Sequence, residues 1–131
     1  MDKELPDRKG VLVDTYGSAE FSRDVIRQFP SLQSDLEEDA GLLHVQMGTL
    51  GGSVRQAIAS GDLALPLQVC RFLGEILARK RLHPEIENAV AISFVDAKIL
   101  RESDAGRQLL DQMPKRVREV LLDQERRDET A

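Results

Sequence analysis

Long apolar stretches are missing from this chain of 131 residues. None approaches the roughly 18 to 20 consecutive apolar residues that a helix needs to cross a bilayer. Residues 1–6 also lack the apolar centre of a secretory signal peptide. We therefore expect a cytoplasmic protein that has no membrane partner.

The residue types that most often carry chemistry are scarce. Cys70 is the only cysteine, so the chain cannot form an internal disulfide or a zinc site built on several cysteines. A zinc site made of Cys70 and the only histidines, His44 and His83, would need three separate helices to converge. The glycines at 51 and 52 lack the lysine of a phosphate-binding loop. We expect no catalytic residue, no metal and no cofactor, and hence no enzyme.

Positive charge is in deficit, with 18 Lys and Arg residues against 23 Asp and Glu residues and a formal net charge of −5. Binding to nucleic acid depends on clustered Lys and Arg, so no nucleic-acid partner is expected. The densest negative segment holds Asp35, Glu37, Glu38 and Asp39. Such a segment attracts a basic protein surface or merely keeps a loop solvated, and the sequence leaves both interpretations open.

Apolar residues recur at helical spacing through most of the chain, and no segment shows the sustained period-two alternation of a strand. The clearest stripe runs from Leu43 to Ile58 and predicts a long helix that Gly61 ends in a left-handed conformation. Another helix is predicted to run without interruption from Pro84 to about Leu100. The long helix contains three glycines that predict the close approach of another helix: Gly48, Gly51 and Gly52.

These patterns predict an all-α fold with a single domain of about six to seven antiparallel helices. The helices are expected to form either stacked hairpins, as in HEAT-like proteins, or an irregular bundle. Residues 1–17 are predicted to form an N-terminal arm, residues 18–125 the helical domain, and residues 126–131 a frayed tail.

Several local patterns point to a family. They are Phe29-Pro30-Ser31-Leu32, the stretch from Gly41 to Met47, Ser60-Gly61-Asp62-Leu63, and the stretch from Asn88 to Val95. Over residues 18–125 the chain resembles an uncharacterised family of small, acidic, all-helical bacterial proteins. The resemblance implies no settled activity. A small acidic helical domain without a set of catalytic residues is, however, similar to the immunity proteins that neutralise bacterial toxins.

Together these features predict a non-catalytic protein-binding domain, and specifically a bacterial immunity protein that binds and neutralises a cognate toxin through an acidic surface. The partner is expected to be a basic protein. The alternative is a general adaptor that holds a helical peptide in a groove between helical hairpins. An enzyme would instead need distant residues such as His44, Glu87 and Asp96 to converge in one pocket. The residues predicted to meet the partner are Asp35, Glu37, Glu38, Asp39, His44 and Gln46.

Overall fold

A computed structural model describes residues 15–130, which contain eight α-helices and no strand. The all-α fold in a single domain is confirmed, with slightly more helices than the sequence predicted. A 3₁₀ turn (Pro30–Leu32) joins the first two helices, and a π-helical turn (Val90–Phe94) follows the fifth. The helices are α1 (Ser18–Gln28), α2 (Gln33–Glu38), α3 (Leu43–Ala59), α4 (Ala64–Leu77), α5 (Pro84–Ala89), α6 (Ala97–Leu100), α7 (Asp104–Gln112) and α8 (Lys115–Thr130).

The ends of several helices follow from local chemistry. The Ser103 hydroxyl accepts a hydrogen bond from the Gly106 N–H at 3.0 Å and so caps the start of α7. The His83 Nδ1 caps α5 in the same way by accepting from the Glu85 N–H at 3.1 Å. Gly61 adopts the predicted left-handed conformation after α3, with φ of 76°.

The long helix α3 is the centre of a helical bundle. It packs against α1, α2, α4, α5, α7 and the π-helical turn. Aromatic side chains join α1 to α4, because the rings of Phe29 and Phe72 meet edge to face with centroids 5.3 Å apart and Phe21 lies 6.0 Å from Phe72. The bundle, rather than a stack of hairpins, is therefore the arrangement that the chain adopts.

The folded domain begins before the predicted boundary at residue 18. Most of the predicted arm lies outside the described residues, but Tyr16 is packed into the core with 5% of its surface exposed. Its N–H donates to the Arg81 carbonyl at 2.7 Å, and its carbonyl accepts from the His83 N–H at 2.8 Å. These two bonds hold Tyr16 against the turn between α4 and α5.

The predicted continuous helix from Pro84 to Leu100 is wrong. The chain leaves helical geometry at Val95, which is extended with φ of −148° and ψ of 140°, and α6 begins two residues later. Just before this break, α3 approaches so closely that a Cβ built on Gly51 would lie 1.8 Å from the Phe94 carbonyl oxygen. Gly51 therefore allows the backbone of α3 to contact the backbone of Phe94, directly before the break at Val95.

The predicted reason for the helical glycines is confirmed at one of three positions. Gly51 meets the Phe94 backbone directly, whereas a Cβ on Gly48 would lie an ordinary 3.7 Å from the Ser93 carbonyl oxygen. A Cβ on Gly52 would have no neighbouring atom within 4 Å. Nothing in the described structure explains Gly52.

The last helix is longer than predicted. α8 continues to Thr130 and so includes most of the predicted tail, while Ala131 lies outside the described residues. An ion pair between Arg126 and Asp123 and a hydrogen bond from Gln124 to Asp128 at 3.0 Å support its final turns. Within residues 15–130, no helix combines the length and the apolar composition needed to span a bilayer.

Candidate partner-binding surface

The predicted acidic residues lie on one short helix and its end. α2 buries Leu36 and exposes Asp35, Glu37 and Glu38 to solvent, while Asp39 is half-buried at the C-terminal end of the helix. Within the described part of the chain, none of these four carboxylates forms an ion pair or a side-chain hydrogen bond. The structure therefore leaves their charge available to an external group.

Gln46 was predicted to meet the partner, and the structure shows that this assignment is wrong. Its side chain is fully buried, with 0% of its surface exposed. The Nε2 group donates to the Leu36 carbonyl at 2.9 Å and to the Ser22 hydroxyl at 3.1 Å. Because Leu36 lies near the C-terminal end of α2, where carbonyls lack helical partners, Gln46 fixes the acidic helix from within.

His44 lies at the surface, at the start of α3, as predicted. Its Nδ1 is 2.6 Å from the hydroxyl oxygen of Ser93 in the π-helical turn, and the tautomer of the imidazole decides which group donates. This bond joins the start of α3 to the π-helical turn. The two segments therefore present one shared surface.

Three large apolar side chains are exposed in the described residues, and all three lie within two residues of His44 or Ser93 in the sequence. Leu42 is 54% exposed, Val45 48% and Ile92 59%. Leu42 and Val45 lie on either side of His44 in the chain, and Ile92 precedes Ser93. The sequence reasoning missed them, although their positions outside the helical stripes of buried residues were a usable signal.

Leu42 connects the exposed apolar residues to the acidic helix. The Leu42 N–H donates to the Asp39 carbonyl at 2.9 Å, and the Gly41 N–H donates to the Ser22 hydroxyl at 2.9 Å, so the loop between α2 and α3 is held against α1. We call the combined area the α2–α3 surface. It consists of Asp35, Glu37, Glu38, Asp39, Leu42, His44, Val45 and Ile92.

The residues that suggested chemistry do not assemble into one site. Glu87 pairs with Arg116 of α8, while the imidazole of His44 is hydrogen-bonded to Ser93. In a catalytic triad, a carboxylate hydrogen-bonded to the histidine orients the imidazole. No carboxylate among the described residues is hydrogen-bonded to His44 in this way. Cys70 is fully buried, and burial raises the pKa of its thiol to about 12, which disfavours the nucleophilic thiolate.

Metal ligands do not gather either in the part of the chain that the structure describes. No group of three or more His, Cys, Asp or Glu side chains there is placed to hold a metal ion. What the α2–α3 surface offers is an apolar area beside unpaired carboxylates.

The comparisons with known proteins identify a family without assigning an activity. No curated protein and no solved structure is similar enough to match the chain. One family model, described as a domain of unknown function (DUF7674), matches residues 23–127. This range includes every residue of the α2–α3 surface. The expectation of an uncharacterised family is thereby met, and the chain belongs to the DUF7674 family.

Proposed function

We propose that the chain is a non-catalytic protein-binding domain and that the α2–α3 surface is where its partner docks. The observation that carries the proposal is the position of the exposed apolar residues. Leu42 is hydrogen-bonded to Asp39 at the end of α2, Val45 follows in the first turn of α3, and Ile92 is next to Ser93, which bonds to His44 of α3. Protein interfaces commonly join an apolar centre to a polar rim, and the α2–α3 surface has both parts.

The partner that fits this surface is a basic protein. Four unpaired carboxylates on and beside α2 favour a surface rich in Lys and Arg, and the net charge of −5 extends the attraction beyond contact distance. We favour the toxin of an immunity pair as this partner. Binding would then neutralise the toxin by covering the basic face through which it acts.

Matched charge-reversal variants test the location of the surface. Glu37→Lys/Glu38→Lys changes the last turn of α2, and Asp128→Lys/Glu129→Lys makes the same charge change in the last turn of α8. All four side chains are exposed, and lysine is favourable near a helix C-terminus, so both variants should fold. Circular dichroism and the urea midpoint check this.

The capture experiment compares the tagged wild-type protein with both variants in a lysate of the source organism, with mass spectrometry of the retained proteins. We expect one stoichiometric basic partner that the α8 variant retains and the α2 variant loses. Production of that partner in cells should be toxic, and the wild-type protein should relieve the toxicity. Equal retention by both variants would refute the site, and a harmless partner would refute the toxin.

The apolar part of the surface has its own test. Val45→Asn and Ile92→Asn change exposed residues and are expected to weaken binding of the captured partner by about tenfold each. Gln56→Asn, at an exposed position further along α3, is the control and should leave binding unchanged. Unchanged binding in all three variants would show that the exposed apolar residues take no part.

A further inference from the structure

A second acidic area lies away from α2, in a groove between α6 and the last turns of α8. The groove has a volume of about 360 Å³. Its apolar residues are Ala91, Val95, Ala97 and Leu121, and the last three are almost fully buried beneath the groove. The break in the helix at Val95 separates the π-helical turn from the α6 wall. A volume of this size accommodates side chains of a ligand rather than single water molecules.

Carboxylates stand on both walls of the groove. Asp96 lies on the α6 side, and Glu125, Asp128 and Glu129 lie on the α8 side. Lys98 is the one cationic residue that lines the groove. An apolar floor between two acidic walls therefore distinguishes this groove from a uniformly solvated helix surface.

Two of these carboxylates are engaged and two are not. Glu125 pairs with Arg101, and Asp128 accepts from Gln124 at 3.0 Å. Asp96 and Glu129 form no ion pair or side-chain hydrogen bond within the described residues, but Arg101, the partner of Glu125, also attracts Glu129 electrostatically. Unpaired carboxylates thus stand on opposite walls, with apolar side chains between them.

We propose that the α6–α8 groove binds a basic amphipathic helix, as a ligand distinct from the partner of the α2–α3 surface. Helices that dock in grooves insert apolar residues spaced at i, i+3, i+4 and i+7. Here those residues would contact the floor at Ala91 and at the small exposed parts of Val95 and Leu121. Flanking lysines or arginines would meet Asp96 and Glu129. The charge on both walls selects a basic helix over an acidic one.

The test uses the full chain and a fluorescent synthetic peptide of about 18 residues, or five helical turns. The peptide carries leucine at helical spacing and lysine on either side of the leucine stripe. One control peptide has the same residues in scrambled order, and another has glutamate in place of lysine. Fluorescence anisotropy measures each affinity, and amide chemical shifts locate the site.

We expect the amphipathic basic peptide to bind at least about tenfold more tightly than either control peptide. Asp128→Lys/Glu129→Lys should weaken its binding by about tenfold or more, and Glu37→Lys/Glu38→Lys should leave it unchanged. Chemical-shift changes should lie in α6, α8 and the π-helical turn.

Equal binding of the scrambled peptide, or displacement of the basic peptide by spermidine at equal concentration, would show attraction by charge alone and overturn the proposal. Loss of binding in the α2 variant with retention in the α8 variant would place the peptide on the α2–α3 surface and also overturn it. Either outcome leaves the prediction for the captured partner in place, so failure of the groove proposal is distinguishable from failure of the proposed function.

Discussion

Gln46 is the residue on which the position of the acidic helix depends. Its buried amide donates to the Leu36 carbonyl of α2 and to Ser22 of α1, while its Oε1 has no partner among the described residues. The amide thus supplies a donor to a carbonyl near a helix end, where no backbone N–H is available. Gln46 thereby holds the acidic helix in place although its own side chain is buried.

Replacement of Gln46 by alanine is expected to lower the free energy of unfolding by about 2–4 kcal/mol. The change leaves the Leu36 carbonyl without its donor and opens a cavity. Gln46→Met keeps most of the volume and removes the unpaired Oε1, so its cost should be clearly smaller. Urea unfolding measures both, and an alanine variant as stable as the wild type would contradict the role assigned to Gln46.

Tyr16 is expected to make the free energy of unfolding depend on pH in the alkaline range. Burial and the hydrogen bond from its hydroxyl to Asp24 at 2.8 Å raise the pKa of Tyr16 well above the ordinary value of 10.0. The folded state therefore holds the neutral phenol, while the unfolded chain ionises near pH 10. The contribution of Tyr16 to the free energy of unfolding is therefore fully present below pH 10 and is lost as the pH rises above it.

Because Tyr16 is the only tyrosine, the ultraviolet absorbance of tyrosinate reports this residue alone. Above pH 10 we expect the free energy of unfolding to fall by up to about 1.4 kcal/mol per pH unit from this group. Tyr16→Phe should be less stable at pH 7 and should lose this part of the decline. Ionisation of native Tyr16 near pH 10 would contradict the burial.

At the scale of the elements, adjacent glycines of α3 provide a matched pair. Gly51→Ala places a methyl group against the Phe94 carbonyl and should destabilise the protein by about 2 kcal/mol or more. Gly52→Ala meets no neighbouring atom within 4 Å and should stabilise the helix by up to about 1 kcal/mol. Thermal or urea unfolding measures both. Equal effects of the two changes would contradict the backbone contact at Phe94.

The elements that the sequence predicted correctly are those whose ends have local causes. Gly61 takes the left-handed conformation predicted for it, and Ser103 and His83 cap their helices through hydrogen bonds to residues two or three positions further on. The break at Val95 was missed because the apolar spacing continues through it and neither proline nor glycine marks it. Its partner is the backbone of α3, a contact that no local pattern contains.

The candidate surface was also predictable only where its cause is local in the sequence. The acidic residues of α2 were visible as a cluster of charge, and their exposure followed from the burial of Leu36. Gln46 was misplaced because a polar side chain was taken as a surface residue, although it lies among buried positions of α3 next to Met47. The junction with Ile92 depends on the bond between His44 and Ser93, which only the fold brings together.

At the scale of the whole molecule, acidic residues occupy two separate areas that each include apolar side chains. The α2–α3 surface has its apolar residues exposed, and the α6–α8 groove has them recessed. The first suits a protein surface and the second a single helix. If both proposals hold, the molecule has two sites for basic ligands, and these sites meet at the π-helical turn, where Ala91 lines the groove and Ile92 belongs to the α2–α3 surface.

The most direct measurement is hydroxyl-radical footprinting of the protein alone and in complex with the captured basic partner, read by mass spectrometry. We predict that oxidation of Leu42, Val45 and Ile92 falls together on binding. Oxidation of residues that line the α6–α8 groove should stay unchanged. Unaltered oxidation of all three apolar residues in a stoichiometric complex would contradict the α2–α3 surface as the docking site.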